Sequence, residues 1–166
     1  MTFIALLEPD KIDSQAILRA AMTTRDNMDE GKVNHDDGRK SDEVFNTHIP
    51  GFTIRFAHEH DVALILDFIK RLAKYEGLSD EVVATPEVLI ESLFIKRQAE
   101  VIIGELDREP VAFALFFHNF STFLGKANLY LEDLFVDERY RGRELGRSMF
   151  ACLAKITIER ECERLD

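Results

Sequence analysis

One segment constrains the fold most: an apolar strand that runs into a basic loop and then into a helix. Residues 128–136 have the composition of a buried strand, and a loop rich in arginine and glycine follows at residues 139–147. Apolar residues then recur at helical spacing to about Cys162, which predicts a helix packed on a sheet. A helix N-terminus presents unpaired N–H groups and partial positive charge, so the junction suits a phosphate. The residues alone allow two interpretations of this loop, an anion site or an ordinary surface loop with a helix cap.

Upstream of this segment, hydrophobic periodicity predicts an α+β domain. Two helices are expected, one with Asp61 at its N-cap and Gly77 at its end, the other capped by Thr85. The predicted strands are residues 52–56, 100–106, 111–118 and 128–136. In the order β-α-α-β-β-β-α, these elements form a mixed, mostly antiparallel sheet with helices packed on it.

The first fifty residues differ in composition from the rest. Between Thr24 and Pro50 the chain is poor in apolar residues and rich in charge, so it cannot bury enough surface to offset its ordering entropy. We therefore predict that residues 1–50 form a largely flexible N-terminal extension and that residues 51–166 form the folded domain. His48 lies in this extension, where we expect a solvated side chain.

Composition argues against several functional classes. The net charge of −10 leaves no basic surface for nucleic acid, and no apolar run is long enough to span a membrane. Cys152 and Cys162 lack metal-ligand spacing, which favours reduced thiols and a cytoplasmic location. An acidic protein attracts cationic partners, and small amines are one such class.

The segment YLEDLFVDERYRG at residues 130–142 resembles the acetyl-CoA motif of GNAT acetyltransferases. It is most similar to the branch that acetylates spermidine, spermine and thialysine, which is also matched by LAKYE at residues 72–76 and GK at residues 125–126. The resemblance covers about residues 52–166 and none of residues 1–50. It implies the GNAT fold, an acetyl-CoA-dependent N-acetyltransferase that needs no metal, and a homodimer.

The resemblance also implies which residues hold acetyl-CoA. The strand carrying Leu134, Phe135 and Val136 would hydrogen-bond the pantetheine arm through its backbone. The residues that would wrap the pyrophosphate are Arg141, Gly142, Arg143, Leu145, Gly146 and Arg147.

The amine side of the site is expected to be acidic. An alkylammonium group has a pKa near ~10 and must lose a proton before it attacks a thioester. The resemblance implies that Glu132 aids this step through a water and that Asp133, Tyr75 and Glu76 line the amine site. Adjacent strand residues point to opposite faces, so at most one of the two strand carboxylates faces the cleft unless the strand is bulged; we favour Glu132. Tyr75 and Glu76 are equally compatible with the exposed end of a helix.

The chain departs from the family pattern in two ways. Glu144 stands where the loop pattern Arg/Gln-x-x-Gly-x-Gly/Ala has its middle glycine, and a carboxylate there would repel pyrophosphate. The family also continues beyond Asp166, with further strands and a tyrosine that returns a proton to the thiolate. Without those strands we expect the strand at residues 128–136 to have a bare edge.

The function expected from these residues and this resemblance is acetyl transfer from acetyl-CoA to a primary amine of a small cationic substrate. A polyamine or a lysine-like molecule would attack directly in a ternary complex. The alternative is a catalytically inactive, truncated GNAT remnant that acts as a binding or dimerisation module. A third interpretation is acetylation of protein lysines or N-termini.

Overall fold

A computed structural model describes residues 43–166, so the part of the predicted extension before residue 43 lies outside the described residues. Five strands form one antiparallel sheet in chain order. The strands are β1 (Val44–Asn46), β2 (Phe52–Phe56), β3 (Glu100–Leu106), β4 (Glu109–Ser121) and β5 (Lys126–Val136). All but β1 were predicted from the sequence.

Helices cover both faces of the sheet. On one face lie α1 (Val62–Glu76) and α2 (Pro86–Leu89), which continues as a π-helical turn, and on the other lies α3 (Leu145–Glu159). Alternate residues of β3 divide between the two cores: Val101 and Ile103 pack with α1, and Ile102 packs with α3. This alternation is the period of two that a strand buried on both faces requires.

β1 corrects the boundary of the predicted extension. Residues 44–46 pair with β2, and the ring of Phe45 packs 5.9 Å from that of Phe56. A single buried aromatic ring in a short strand anchors this hairpin, whereas its neighbours Val44 and Asn46 are both exposed. Composition averaged over a longer window hides such a contact.

The helix ends match the sequence prediction at two positions and differ at one. Gly77 ends α1 with a left-handed φ of 74°, and Thr85 caps α2 by accepting a hydrogen bond from the Val88 N–H at 3.4 Å. Asp61 occupies the N-cap position of α1, as predicted, but its side chain accepts no hydrogen bond from the helix N–H groups. Its carboxylate instead accepts two hydrogen bonds from the Arg55 guanidinium, at 2.7 and 2.9 Å, because a charged tertiary partner binds it more strongly.

The last residues of the chain add to the sheet beside β5. The Leu129 N–H donates to the Arg164 carbonyl at 2.9 Å, and the Asp166 N–H donates to the Leu129 carbonyl at 2.9 Å. This pairing is parallel and reaches the Leu131 N–H, which donates to the Asp166 carbonyl at 2.8 Å. The bare edge expected for this strand is therefore wrong for its first half.

Candidate acetyl-CoA and amine site

A β-bulge in β5 sets the direction of the candidate catalytic side chains. The pairing with β4 passes from Asp133 to Leu131, so Glu132 is the extra residue of the bulge. As a result Leu131 and Leu134 both pack in the core under α3. Asp133, which precedes Leu134, points to the opposite face of the sheet, toward α1.

Three acidic side chains act on one another near the bulge. Burial, followed by the charges of Glu132 and Glu76, raises the pKa of Asp133 to about 6. Glu132 is exposed, and Glu76 is the last residue of α1. A cation bound here would lower the pKa of Asp133 again, so the arrangement favours a positively charged ligand.

Tyr75 joins the end of α1 to the basic loop. The Arg141 guanidinium carbon lies 4.4 Å from the centroid of the Tyr75 ring, and Arg141 Nε donates to the Val136 carbonyl at 3.1 Å. The Tyr75 ring stays 50% exposed. A residue expected in the amine site is thus in contact with one expected in the cofactor site.

The three residues of β5 expected to bind pantetheine differ in the edge of the strand that their backbone N–H and C=O groups face. The Asp137 N–H donates to the Val111 carbonyl of β4 at 2.8 Å. Consecutive strand residues direct their backbone groups to opposite edges, so Leu134 and Val136 direct theirs away from β4. Phe135 directs its backbone toward β4 instead, and its ring packs in the core under α1.

The start of α3 provides an anion-binding geometry. Its first helical hydrogen bond runs from the Ser148 N–H to the Glu144 carbonyl at 3.1 Å. The N–H groups of Leu145, Gly146 and Arg147 precede that bond and have no partner in the helix, and the helix dipole adds positive charge. The Leu145 side chain is buried in the core, which fixes the position of these donors.

The other loop residues also fit the expected role. Gly142 has φ of 77°, a left-handed conformation that favours glycine. A side chain here would meet no atom within 4 Å, so backbone conformation and not crowding requires the glycine. Arg143 lies over the Tyr140 ring, with its guanidinium carbon 5.4 Å from the centroid.

A buried aspartate that sequence analysis missed anchors the loop. Asp137 is 1% exposed, and its carboxylate lies 2.6 Å from Arg71 Nη2 and 2.7 Å from Arg139 Nη2. The hydrogen bonds from Arg139, together with the Arg71 charge, hold the pKa of Asp137 well below its usual range. Because Arg71 lies on α1, this contact depends on the fold and leaves no local sequence pattern.

Glu144, the departure from the family loop pattern, lies beside two nitrogen-bearing side chains, those of Arg147 and His48. It adopts a left-handed φ of 62°, which is strained for a residue with a side chain. Its carboxylate accepts a hydrogen bond from Arg147 Nη1 at 2.9 Å and lies 3.7 Å from His48 Nε2. His48 was expected to be merely solvated; it remains largely exposed but reaches this loop from the hairpin between β1 and β2.

Comparison with known proteins decides the family. The model of the acetyltransferase (GNAT) family matches residues 66–166, more than half of the chain. This chain belongs to the GNAT acetyltransferase family. As a member it is an acetyl-CoA-dependent N-acetyltransferase, and its α+β architecture is the GNAT fold.

Two curated relatives of this GNAT acetyltransferase are informative. The thialysine N-epsilon-acetyltransferase of Bos taurus is 32% identical over 121 residues, which cover 68% of this chain and 71% of the relative. The spermidine/spermine N(1)-acetyltransferase-like protein 1 of Homo sapiens is 31% identical over 119 residues, which cover 67% of this chain and 17% of the relative. Both belong to the branch that the sequence resembles.

Solved structures confirm the fold of the domain. A predicted acetyltransferase with acetyl-CoA from Clostridium acetobutylicum has a TM-score of 0.60 at 19% identity, covering 69% of this chain and 79% of that chain. The aminoglycoside acetyltransferase meta-AAC0020 from a soil metagenomic sample has a TM-score of 0.61 at 16% identity, covering 70% and 76%. At these identities the likeness shows the fold alone.

Two further properties concern metals and membranes. Within residues 43–166, no three His, Cys, Asp or Glu side chains cluster in a way that could hold a metal ion. No helix in the described part of the chain is long and apolar enough to cross a membrane.

Proposed function

We propose that this chain transfers the acetyl group of acetyl-CoA to a primary amine of a small cationic substrate, a polyamine or a lysine-like molecule. The proposal rests on Asp133, a half-buried carboxylate that follows the bulge and precedes the outward-facing backbone of Leu134. A cation receptor and a cofactor-binding edge are therefore adjacent on one strand. The names of the bovine and human relatives, which specify thialysine and spermidine/spermine, support this substrate class.

Acetyl-CoA, when bound, supplies an activated acetyl group. The N–H groups at the start of α3 suit its pyrophosphate, and the outward backbone of Leu134 and Val136 suits its pantetheine arm. Gly142 leaves room for close approach of the phosphates. The residues proposed to surround the pyrophosphate are Arg141, Gly142, Arg143, Leu145, Gly146 and Arg147.

The acidic residues at the bulge act on the amine. Asp133 attracts the ammonium group, and Glu76 and Tyr75 line the approach. Glu132, exposed on the bulge, accepts the ammonium proton through a water. The neutral nitrogen then forms a bond to the acetyl carbon while the carbon–sulfur bond breaks, and the proton that the nitrogen loses on becoming an amide passes to the sulfur. Positioning the two reactants lowers the barrier without a covalent enzyme intermediate.

The second candidate function is a GNAT remnant that binds but does not catalyse. The observation in its favour is Glu144. A carboxylate in the basic loop repels pyrophosphate, and this one forms an ion pair with Arg147, which is expected to bind pyrophosphate. The remnant interpretation predicts no acetyl transfer to any amine by the folded chain. Acetylation of protein lysines predicts instead that a lysine-containing peptide outperforms spermidine and lysine.

Steady-state kinetics of Glu132→Gln tests the proposed mechanism. Removal of a general base costs about a hundredfold in kcat, while the KM for acetyl-CoA stays within about twofold, since Glu132 does not touch the cofactor. Glu159→Gln is the matched control, because it removes an exposed carboxylate at the far end of α3. Equal kcat values for Glu132→Gln and wild type would remove Glu132 from the mechanism.

The proposal extends to the domain organisation, the oligomeric state, the reactivity of the thiols and the cellular location. Residues 51–166, extended by β1, form the catalytic domain, and family resemblance favours a homodimer.

Cys152 is a buried free thiol. Burial raises its pKa to about 12, so the thiol is unreactive. Two free thiols, Cys152 and Cys162, are compatible with a reducing cytoplasm. Sedimentation of the purified chain measures the oligomeric state.

A further inference from the structure

A contact joins the basic loop before α3 to the turn between β1 and β2. Two of its three residues, His48 and Glu144, are not among the residues expected to bind acetyl-CoA. His48 comes from this hairpin, which precedes the 66–166 family match. Its Nε2 lies 3.7 Å from Glu144 Oε2, and the other carboxylate oxygen accepts a hydrogen bond from Arg147 Nη1 at 2.9 Å. One carboxylate therefore lies between the Arg147 guanidinium and the His48 imidazole at the N-terminus of α3.

We propose that Glu144 competes internally with the cofactor phosphates for Arg147, and that His48 retains the displaced carboxylate when a phosphate binds. The inference rests on the proposed function, because it assumes that the cofactor phosphates bind at this loop. It adds an affinity-determining pair, His48 and Glu144, to that site.

Electrostatics and backbone conformation both support the competition. The Glu144 carboxylate lies at the positive end of α3 and contacts Arg147, whose backbone N–H is one of those without a partner in the helix, so a phosphate would find the same attraction. A left-handed φ of 62° at Glu144 holds the side chain at this position. The Glu144, Arg147 and His48 side chains are 55, 54 and 68% exposed, so the ion pairs are weak enough to exchange partners.

The exchange leaves every charge with a partner. When a phosphate takes the Arg147 guanidinium, Glu144 would lose its stronger contact and repel the incoming anion. His48 offers that carboxylate a second partner on the side of the hairpin, as a hydrogen-bond donor or as a cation. A chain without His48 therefore binds phosphates less well, but only while Glu144 is present.

Calorimetric titration of acetyl-CoA into single and double variants of the 166-residue chain tests this proposal. Glu144→Gln keeps the size of the side chain and removes its charge, and we expect it to bind about threefold more tightly than wild type. His48→Ala should weaken binding about twofold in the wild-type background and leave Glu144→Gln unchanged. His48→Lys, which restores a cation, should recover the wild-type affinity. Glu159→Gln controls for the change in net charge.

The Arg147→Ala substitution distinguishes competition for Arg147 from simple repulsion between Glu144 and the phosphates. If Glu144 occupies this arginine, Arg147→Ala costs more affinity in the Glu144→Gln background than in wild type. Equal losses in the two backgrounds would overturn the proposal, and so would a His48→Ala effect that is independent of Glu144. The side-chain ¹⁵N–¹H signal of Arg147 provides a readout without cofactor: it should shift on Glu144→Gln, and an unchanged signal contradicts the contact.

The outcomes also separate this inference from the proposed function. Binding of acetyl-CoA with equal affinity by wild type and Glu144→Gln overturns the competition and leaves the proposed function standing. No binding by any variant, with all of them folded, overturns both, because there is then no cofactor for the contact to control.

Discussion

The ionised form of Asp133 is destabilised by its surroundings in the folded chain. Burial disfavours its ionised form, and the charges of Glu132 and Glu76 add to the effect. A binding site for cations uses such an arrangement, because the ligand relieves the repulsion that the empty site contains. Which of the two adjacent carboxylates would face α1 could not be predicted from the sequence, since the bulge that decides it depends on pairing with β4.

Asp133→Asn is expected to stabilise the folded chain near neutral pH. The raised pKa of Asp133, about 6 compared with an ordinary 3.8, means that this carboxyl destabilises the fold when ionised, and that the destabilisation is absent below about pH 3, where the carboxyl is protonated in both the folded and unfolded states. It grows as the pH rises and is complete above about pH 6. After a discount for partial exposure, the gain from Asp133→Asn is about 1 kcal/mol at about pH 7.5 and near zero at about pH 3.

Urea unfolding at the two pH values measures this gain, with Glu159→Gln as the control. The same substitution should raise the KM for spermidine about tenfold, because the ammonium group loses its counter-charge. Equal stability effects at both pH values would contradict the assigned state of Asp133. An unchanged KM would place the amine elsewhere.

At the scale of elements, the sheet was largely predictable and its local irregularities were not. Alternating and buried apolar runs predicted β2 to β5, and the glycine-bearing loop predicted the start of α3. β1 was missed because one buried ring, that of Phe45, anchors it. The parallel pairing of residues 163–166 and the network around Asp137 were missed because both join segments distant in the chain.

Gly104 in β3 shows how tightly α3 packs on the sheet. A Cβ atom here would lie 2.7 Å from Phe52 Cζ and 2.9 Å from Met149 Sδ. Gly104→Ala is therefore expected to destabilise the chain by about 1–3 kcal/mol, as overpacking of a core does. Chemical denaturation of Gly104→Ala and of Gly104→Ala with Phe52→Leu measures the effect. The second change makes room, so strictly additive losses would show that the contact is not the cause.

At the scale of the whole molecule, the charges of opposite sign are separated along one strand. The protein has a net charge of −10, yet four arginines lie close together where β5 passes into α3: Arg139, Arg141, Arg143 and Arg147. The acidic residues at the bulge precede that basic loop by a few residues, which at strand spacing is about 10 Å. Under the proposed function, an anionic cofactor and a cationic amine would be drawn to adjacent places on one strand of the GNAT fold.

Calorimetric titration of the wild-type chain with acetyl-CoA tests this account most directly. We predict saturable binding of one acetyl-CoA per chain, with a Kd on the order of micromolar. Such binding would show that the loop at α3 holds the cofactor despite Glu144. A chain that is folded by circular dichroism but shows no heat of binding up to about millimolar acetyl-CoA would contradict it. That result would favour the non-catalytic remnant.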